Sequence, residues 1–254
     1  MVAAQRNSGG CAHAGQAAQT VAKDRAFHPI RSYLGSIRWD GVERLDSWPS
    51  TYLGVEDTAY VRAVGARWLI SAVARIYQPG VKADCRLILE GPQGTRKSTA
   101  LKTLAGSHFT DELADLGSKD SALQTRGVWI IELSELDTLS RSEVSRIKAF
   151  MSRTTDRFRP PYGKRLMESP RQCVFAGTVN HSSYLRDDTG GPRFWPVACG
   201  SINIDRLARD RDQFWARRRH DLKRARSGDW ERANSWRLRR RSRRIVLMEV
   251  PGKE

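Results

Sequence analysis

Apolar and polar residues alternate with two different periods along this chain of 254 residues. Between residues 57 and 78 the apolar positions recur at steps of three and four, which predicts an amphipathic helix that ends at the Pro79-Gly80 pair. Shorter apolar runs predict buried strands within 85–91, 128–133, 173–180 and 193–199. Helical patterns at 97–106 and 140–153 separate the first three strands. This alternation predicts an α/β fold with a mostly parallel sheet flanked by helices.

Composition divides the chain into four segments. Residues 1–26 are small and polar, and we expect them to form a disordered arm. Residues 27–84 are rich in aromatic and turn-forming residues at first and then helical, and we expect a small helical lead-in packed on the core. We place the core at 85–215 and an atypical Arg-rich tail at 216–254.

Charge is unevenly distributed along the chain. The net charge is +16, and residues 216–244 alone contribute +10 of it. A basic excess indicates a polyanionic partner, nucleic acid above all. The alternative is that one unusual tail produces most of this signal.

Neither a membrane span nor a zinc site is expected. No apolar run approaches the roughly 18 residues that cross a bilayer. The four cysteines, Cys11, Cys85, Cys173 and Cys199, contain no C-x-x-C pair, which argues against a zinc site and against a disulfide framework. We therefore expect a cytoplasmic protein in a reducing environment.

The segment GPQGTRKST, residues 91–99, nearly matches the phosphate-binding pattern G-x-x-x-x-G-K-[ST]. It lies between a predicted strand and a predicted helix, which is the context that pattern requires. Backbone N–H groups would cradle phosphates, a lysine would reach the outer phosphates and a serine hydroxyl would bind Mg²⁺. The alternative is a glycine-rich turn with a chance lysine. The candidate residues for ATP are Gly91, Gly94, Arg96, Lys97, Ser98 and Thr99.

Arg96 occupies the position where the pattern has glycine. Glycine is used there because the backbone approaches phosphate closely or because φ is unusual. A side chain in a left-handed conformation costs about 1–2 kcal/mol, which weakens a binding equilibrium without abolishing it. The guanidinium could contact phosphate oxygens or occupy their place.

Polar residues follow two other predicted strands. Glu132 and Glu135 come at the end of the second strand, where a parallel sheet places its ligand site. With Ser98 they are the candidate Mg²⁺ ligands, although surface carboxylates at a strand–helix junction would look the same. Asn180, with Thr178 before it, ends the third strand and could orient a water, or it could simply form a turn.

Basic and aromatic residues are interleaved between residues 148 and 165. This composition suits single-stranded nucleic acid, because cations pair with phosphates and aromatic rings stack on bases. A solvated loop with a packed Tyr-Pro turn at 160–163 is the alternative. The candidate DNA-binding residues are Lys148, Arg157, Arg159, Tyr162, Lys164 and Arg165.

Several of these motifs together resemble the virulence-associated protein E family of phages, plasmids and pathogenicity islands. The segments that carry the resemblance run from FHPIRSYLGSIRWDGVERLDSW through LILEGPQG, SKDSALQTRGVWIIELSELD, KAFMSRTTDRFRPPYGKR, RQCVFAGTVN and YLRDDTGGPRFWPV to RDRDQFW. The resemblance implies a P-loop NTPase core of the superfamily 3 helicase or AAA+-like type. It implies a DNA-dependent ATPase that serves replication of a mobile element and assembles on single-stranded DNA as a homo-oligomeric ring, of which a hexamer is one form.

The chain departs from the family pattern in three places. Arg96 is the first, and the second is Pro192, which replaces one arginine of the family's GNRRFWPV motif. Arg193 remains, and the resemblance implies that it acts as a catalytic arginine across a subunit boundary. The other catalytic residues that the resemblance implies are Glu132, Glu135 and Asn180. The third is the tail, which we interpret as a shifted reading frame or a decayed end.

Two other functions compete with this one. A nucleic-acid-binding remnant would hold nucleotide weakly without turnover. A P-loop kinase of a small molecule would have no obvious use for the basic and aromatic segment or for Arg193.

Overall fold

The computed structural model describes residues 27–83, 86–112, 119–134, 141–159, 166–180 and 194–225. The expected arm at 1–26 and the tail beyond 225 lie outside these ranges. No helix in the described ranges is long and apolar enough to cross a membrane.

A five-stranded parallel sheet forms the centre of the fold. Its strands are β1 (Arg86–Glu90), β2 (Phe109–Thr110), β3 (Ile130–Leu133), β6 (Val174–Val179) and β7 (Phe194–Ala198), in the order β2-β3-β6-β1-β7. All four pairings are parallel. The three central strands are almost entirely buried, which is why their sequences are continuous apolar runs instead of alternating ones. The predicted α/β fold with a mostly parallel sheet is confirmed, and β2 was not predicted.

Seven α-helices in the described residues surround the sheet. They are α1 (Pro29–Ser36), α2 (Trp48–Leu53), α3 (Ala59–Tyr77), α4 (Lys97–Ala105), α5 (Lys119–Gln124), α6 (Arg141–Met151) and α7 (Ile204–Ala225). The predicted helix at 57–78 is α3, which begins after Thr58, whose hydroxyl accepts a hydrogen bond from the Val61 N–H.

The lead-in helices share one hydrophobic core with the sheet. Trp68 on α3 donates its indole N–H to the Phe175 carbonyl of β6 at 2.9 Å. Trp129, just before β3, donates to the Ala72 carbonyl of α3 at 3.0 Å. Trp48 of α2 stacks on Trp68 with ring centroids 6.5 Å apart. Each indole thus contributes a large apolar surface to this contact. The N–H groups of Trp68 and Trp129 are hydrogen-bonded, whereas that of Trp48 is buried without a hydrogen-bond partner.

Helix α7 continues without a break across the boundary that was expected at residue 216. Trp215 is fully buried and donates to the Leu104 carbonyl at 3.1 Å. Arg217 lies 4.2 Å from the Trp39 ring and pairs with Glu43 at 2.8 Å. The first residues of the Arg-rich segment therefore belong to a helix that packs on the rest of the fold.

A separate antiparallel hairpin, β4 (Thr155–Phe158) and β5 (Met167–Pro170), follows α6. Sequence analysis described this region only as a loop with a projecting turn. The base of the hairpin is fixed by a fully buried ion pair between Arg171 and Asp156 at 2.6 Å. Arg171 also donates to the Phe150 carbonyl of α6 at 2.6 Å. The hairpin is thereby attached to α6 at its base, and residues 160–165 lie outside the described residues.

Candidate functional site

The carboxyl ends of β1, β6 and β3 lie side by side at one edge of the sheet. The register pairs Glu90 of β1 with Val179 of β6, and Leu133 of β3 with Gly177 of β6. In parallel α/β sheets this edge is where ligands bind. It brings together the glycine loop (residues 91–96), Glu132 and Asn180.

The backbone of the glycine loop has a positive φ at three positions, Gly91 at 153°, Gly94 and Arg96. Gly94 has φ of 84°, and a Cβ there would meet no atom within 4 Å. Arg96 has φ of 67° and ψ of 29°, and among the described residues it is the one non-glycine residue with positive φ. Of the two reasons given for glycine at this position, the unusual φ is the one that the structure shows. Arg96 therefore occupies a left-handed position at the N-cap of α4 that favours glycine.

Gly91, at the start of the loop, leaves little room for a side chain. A Cβ at this position would lie 3.2 Å from the Cys199 carbonyl oxygen. The Cys199 N–H in turn donates to the Glu90 carbonyl at 2.8 Å. The segment after β7 therefore supports the loop from behind. Burial raises the pKa of the Cys199 thiol to about 12, so the thiol stays neutral beside the loop.

Lys97, the first residue of α4, is buried and points back toward the loop. Its ammonium donates to the carbonyls of Gly91 at 2.6 Å and Pro92 at 2.9 Å, and it lies 3.4 Å from Asn180 Oδ1. These three oxygens match the three donors of an ammonium group. The lysine predicted to bind phosphate and the asparagine predicted to orient water therefore face the same point.

Ser98, the next residue, contacts the acidic strand. Its hydroxyl donates to Glu132 Oε1 at 2.7 Å. Thr178 on β6 donates to the same oxygen at 2.5 Å. Glu132 is only 1% exposed, and its second oxygen, Oε2, is buried with no hydrogen-bond partner. Sequence analysis noted Thr178 and gave it no role, and the only available signal was a hydroxyl residue inside an otherwise apolar strand.

The donor set fits a magnesium nucleotide. A hydroxyl and a carboxylate are hard oxygen ligands of the kind that Mg²⁺ prefers, and they lie beside a buried ammonium and the N-terminus of a helix. The unpartnered Oε2 of Glu132 leaves acceptor capacity that nothing else in the described residues uses. No cluster of three or more His, Cys, Asp or Glu side chains suited to a metal ion occurs in the described part of the chain.

Several predicted site residues are not brought into this group. Thr99 is exposed on α4, one residue beyond Ser98. Glu135 and Arg193 lie outside the described residues, as do Tyr162, Lys164 and Arg165 of the DNA-binding prediction.

The described DNA-binding candidates separate into two places. Arg157 and Arg159 are exposed at the end of β4, and Arg157 pairs with Glu168 across the hairpin at 3.0 Å. Lys148 lies on α6, where its ammonium sits 5.7 Å from the centre of the Phe194 ring. Lys148 therefore packs against the start of β7, whereas the two arginines extend along the hairpin.

The fold and this edge define an α/β protein whose parallel sheet presents a glycine loop, a lysine-led helix and a buried carboxylate at one point. The family model of the virulence-associated protein E-like domain matches residues 34–245. The chain belongs to this family. The matched range includes most of the Arg-rich segment. It therefore gives no support to the interpretation of that segment as a shifted reading frame that starts at residue 217.

Solved structures show the same fold. An apo structure of the NrS-1 C-terminal region aligns with a TM-score of 0.50 at 18% identity, covering 72% of this chain and 47% of that one. An A-form apo structure of the same region aligns with a TM-score of 0.51 at 17% identity, again over 72% and 47%. The chain thus spans about half the length of these structures. No curated protein matches the chain.

Proposed function

We propose that the chain is a P-loop ATPase domain of the helicase-like kind, which acts on DNA in the replication of a phage or other mobile element. The observation that carries this proposal is the convergence of Lys97, Ser98, Glu132 and Asn180 in front of the glycine loop. These side chains come from three neighbouring strands or the elements that follow them. The family membership supports the same function.

In this proposal ATP binds with its phosphates over the glycine loop. The loop N–H groups and the N-terminus of α4 would hold the phosphates, and the Lys97 ammonium would exchange its carbonyl partners for outer phosphate oxygens. Ser98 and Glu132 would hold Mg²⁺, with Glu135 as a further candidate ligand. Magnesium would supply positive charge against the phosphate oxygens and so favour transfer of the terminal group.

Asn180 has a defined part in this mechanism. Its side chain is exposed while its Oδ1 lies near the Lys97 ammonium. When Lys97 turns to phosphate, the amide is released to orient a water against the terminal phosphate. Arg193, which directly precedes β7, is proposed to act on the phosphates of a neighbouring subunit in a homo-oligomeric ring.

The hairpin is the proposed contact with single-stranded DNA. Arg157 and Arg159 provide exposed cations, and Met167, which begins β5, and Leu166 just before it are 44% and 57% exposed. Large apolar side chains beside arginines offer surfaces for unstacked bases as well as for phosphates. Tyr162, Lys164 and Arg165 of the intervening turn are proposed to extend this surface. Lys148 remains a candidate at a separate point on α6.

A second function is favoured by Arg96. A side chain at φ of 67° stores strain in the loop that would hold phosphate. A nucleic-acid-binding remnant that holds nucleotide weakly would retain the hairpin and lose turnover. The two functions share the fold and differ in catalysis.

ATP hydrolysis measured with and without single-stranded DNA separates the two. The motor function predicts Mg²⁺-dependent hydrolysis that DNA stimulates and that Lys97→Ala abolishes. DNA binding without hydrolysis would favour the remnant. If DNA has no effect on ATP consumption and a small molecule becomes phosphorylated, the protein is a kinase, and both the motor function and the remnant function are wrong.

A further inference from the structure

The hydroxyl of Thr178 reaches the candidate site through Glu132, to which it donates a hydrogen bond. Thr178 lies on β6 and is 6% exposed, and Glu132 lies on the neighbouring strand β3. The register places Glu132 opposite Ala176, two residues before Thr178 on the same strand. Residues two apart on a strand share a face, so Thr178 reaches the carboxylate diagonally.

Two hydroxyl groups converge on one carboxylate oxygen. Ser98 and Thr178 donate to Glu132 Oε1 at 2.7 and 2.5 Å, respectively. A carboxylate oxygen has two lone pairs, so it can accept from both donors, and two hydrogen bonds to one oxygen restrict rotation of the carboxylate. The second oxygen, Oε2, is buried and has no partner. The asymmetry means that the carboxylate is held through Oε1 and not through both oxygens.

The donor role of Ser98 determines which way its oxygen faces. Because the Ser98 hydrogen points to Glu132, both lone pairs of Ser98 Oγ are directed away from the carboxylate, and the residue itself is exposed. A hydroxyl that donates to a carboxylate while its lone pairs face outward is oriented to bind a cation.

We propose that Thr178 is a positioning residue for magnesium, because it fixes Glu132 and thereby orients the Ser98 hydroxyl toward the metal. The inference rests on the proposed nucleotide site. Without the Thr178 hydroxyl, Glu132 Oε1 loses one of its two donors, and the carboxylate is free to rotate about its terminal bond. Ser98 then loses its fixed acceptor. Lys97 and the loop N–H groups do not depend on this contact.

The test compares Thr178→Val, which keeps the shape and removes the donor, with Thr178→Ser, which keeps the donor. Affinity for a fluorescent ATP analogue is measured in EDTA and across a Mg²⁺ titration, for both variants and for the natural protein. We expect equal affinity in EDTA. In Thr178→Val the Mg²⁺ concentration at half-effect should rise about 10- to 100-fold, as for other residues that support a metal ligand. Thr178→Ser should stay near the natural protein.

The outcomes separate this inference from the proposed function. If Thr178→Val responds to Mg²⁺ like the natural protein, the positioning role is wrong while the nucleotide site stands. If nucleotide binding in EDTA is Lys97-dependent but Mg²⁺ changes nothing in the natural protein, the positioning role is also wrong. If the natural protein binds no nucleotide at all, the proposed function fails and this inference fails with it.

A folding defect does not remove the test. Should Thr178→Val be insoluble, Thr178→Ala takes its place, since it also lacks the donor, and thermal unfolding without nucleotide reports its integrity. The role then requires that alanine weakens the Mg²⁺ response and that serine preserves it. Equal loss in alanine and serine would show that only packing at this position matters.

Discussion

The Lys97 ammonium lies 3.4 Å from Asn180 Oδ1, although 83 positions separate the two residues in the sequence. The contact exists because β6 lies between β1 and β3, so that the end of β6 faces the start of the helix that follows β1. The strand order therefore puts the amide beside the lysine and leaves the carboxylate to Ser98.

Replacing Lys97 by alanine should weaken ATP binding about 10- to 100-fold, because a hydrogen-bonded charge contributes about 1.5–3 kcal/mol. The matched control is Lys102→Ala, an exposed lysine on the same helix. Isothermal titration calorimetry with Mg²⁺ measures both. Equal affinities in the two variants would contradict the phosphate-binding role of Lys97.

The hairpin offers a comparison between a buried and an exposed ion pair. Asp156→Ala leaves the fully buried Arg171 without its carboxylate and should lower the free energy of unfolding by about 3–5 kcal/mol. Glu168→Ala removes the partner of Arg157, a pair that is more than 60% exposed at both side chains, and should cost less than about 1 kcal/mol. Urea unfolding followed by tryptophan fluorescence measures both. Similar losses would mean that the Asp156–Arg171 pair does not anchor the hairpin.

DNA binding by the hairpin predicts separate effects of charge and stacking. Arg159→Ala should weaken affinity for single-stranded DNA and lower the salt slope by about one counterion. Tyr162→Ala, if the ring stacks on a base, should cost about 1–3 kcal/mol with a smaller change in slope. Fluorescence anisotropy over a salt series measures both, with Lys102→Ala as the control.

The tail needs its own variant in that experiment. A deletion from residue 226 leaves α7 intact, whereas a deletion from 217 would remove the contact of Arg217 with Trp39 and Glu43. If the 226–254 deletion abolishes binding while the hairpin variants change nothing, the tail is the DNA-binding element and the hairpin is structural.

The sequence predicted the parts of the fold that depend on local pattern. Continuous apolar runs and the strand–loop–helix order were enough to place β1, β3, β6 and α4, because buried parallel strands have that composition. The strands of the hairpin were not predicted, because each is only four residues long and neither shows apolar alternation. Strand β5 is mostly exposed, and β4 buries an aspartate and a single phenylalanine. The extent of α7 was missed because its arginines resemble a solvated tail, while Phe214 and Trp215 bury one face.

The site was predicted by residue type and not by contact. Lys97, Ser98, Glu132 and Asn180 were each identified from a motif, and the structure brings them together. Thr178 received no role because its importance depends on the diagonal relation between β6 and β3, which only the strand order reveals. A threonine in a buried strand otherwise indicates nothing beyond β propensity.

Arg96→Gly should raise both stability and turnover. Glycine removes the Cβ that costs about 1–2 kcal/mol at φ of 67°, although its extra freedom in the unfolded chain costs about 0.5–1 kcal/mol. The net gain in the free energy of unfolding should be about 0.5–1 kcal/mol. Arg96→Ala keeps the Cβ and removes the guanidinium, so its stability should stay near that of the natural protein.

The same two variants show how Arg96 affects catalysis. Binding is shared among Lys97, Ser98 and the loop N–H groups, so one imperfect position changes affinity little. Hydrolysis is more sensitive, because a displacement of about 1 Å can cost about 10²-fold in rate. We therefore expect Arg96→Gly to raise kcat more than it tightens ATP binding. If backbone strain at Arg96 lowers kcat, Arg96→Ala will not raise kcat, because alanine keeps the Cβ. If the guanidinium obstructs phosphate, Arg96→Ala will raise kcat as Arg96→Gly does. If the natural protein hydrolyses ATP rapidly and both variants are slower, Arg96 is a phosphate ligand. The interpretation of a weakened loop would then be wrong.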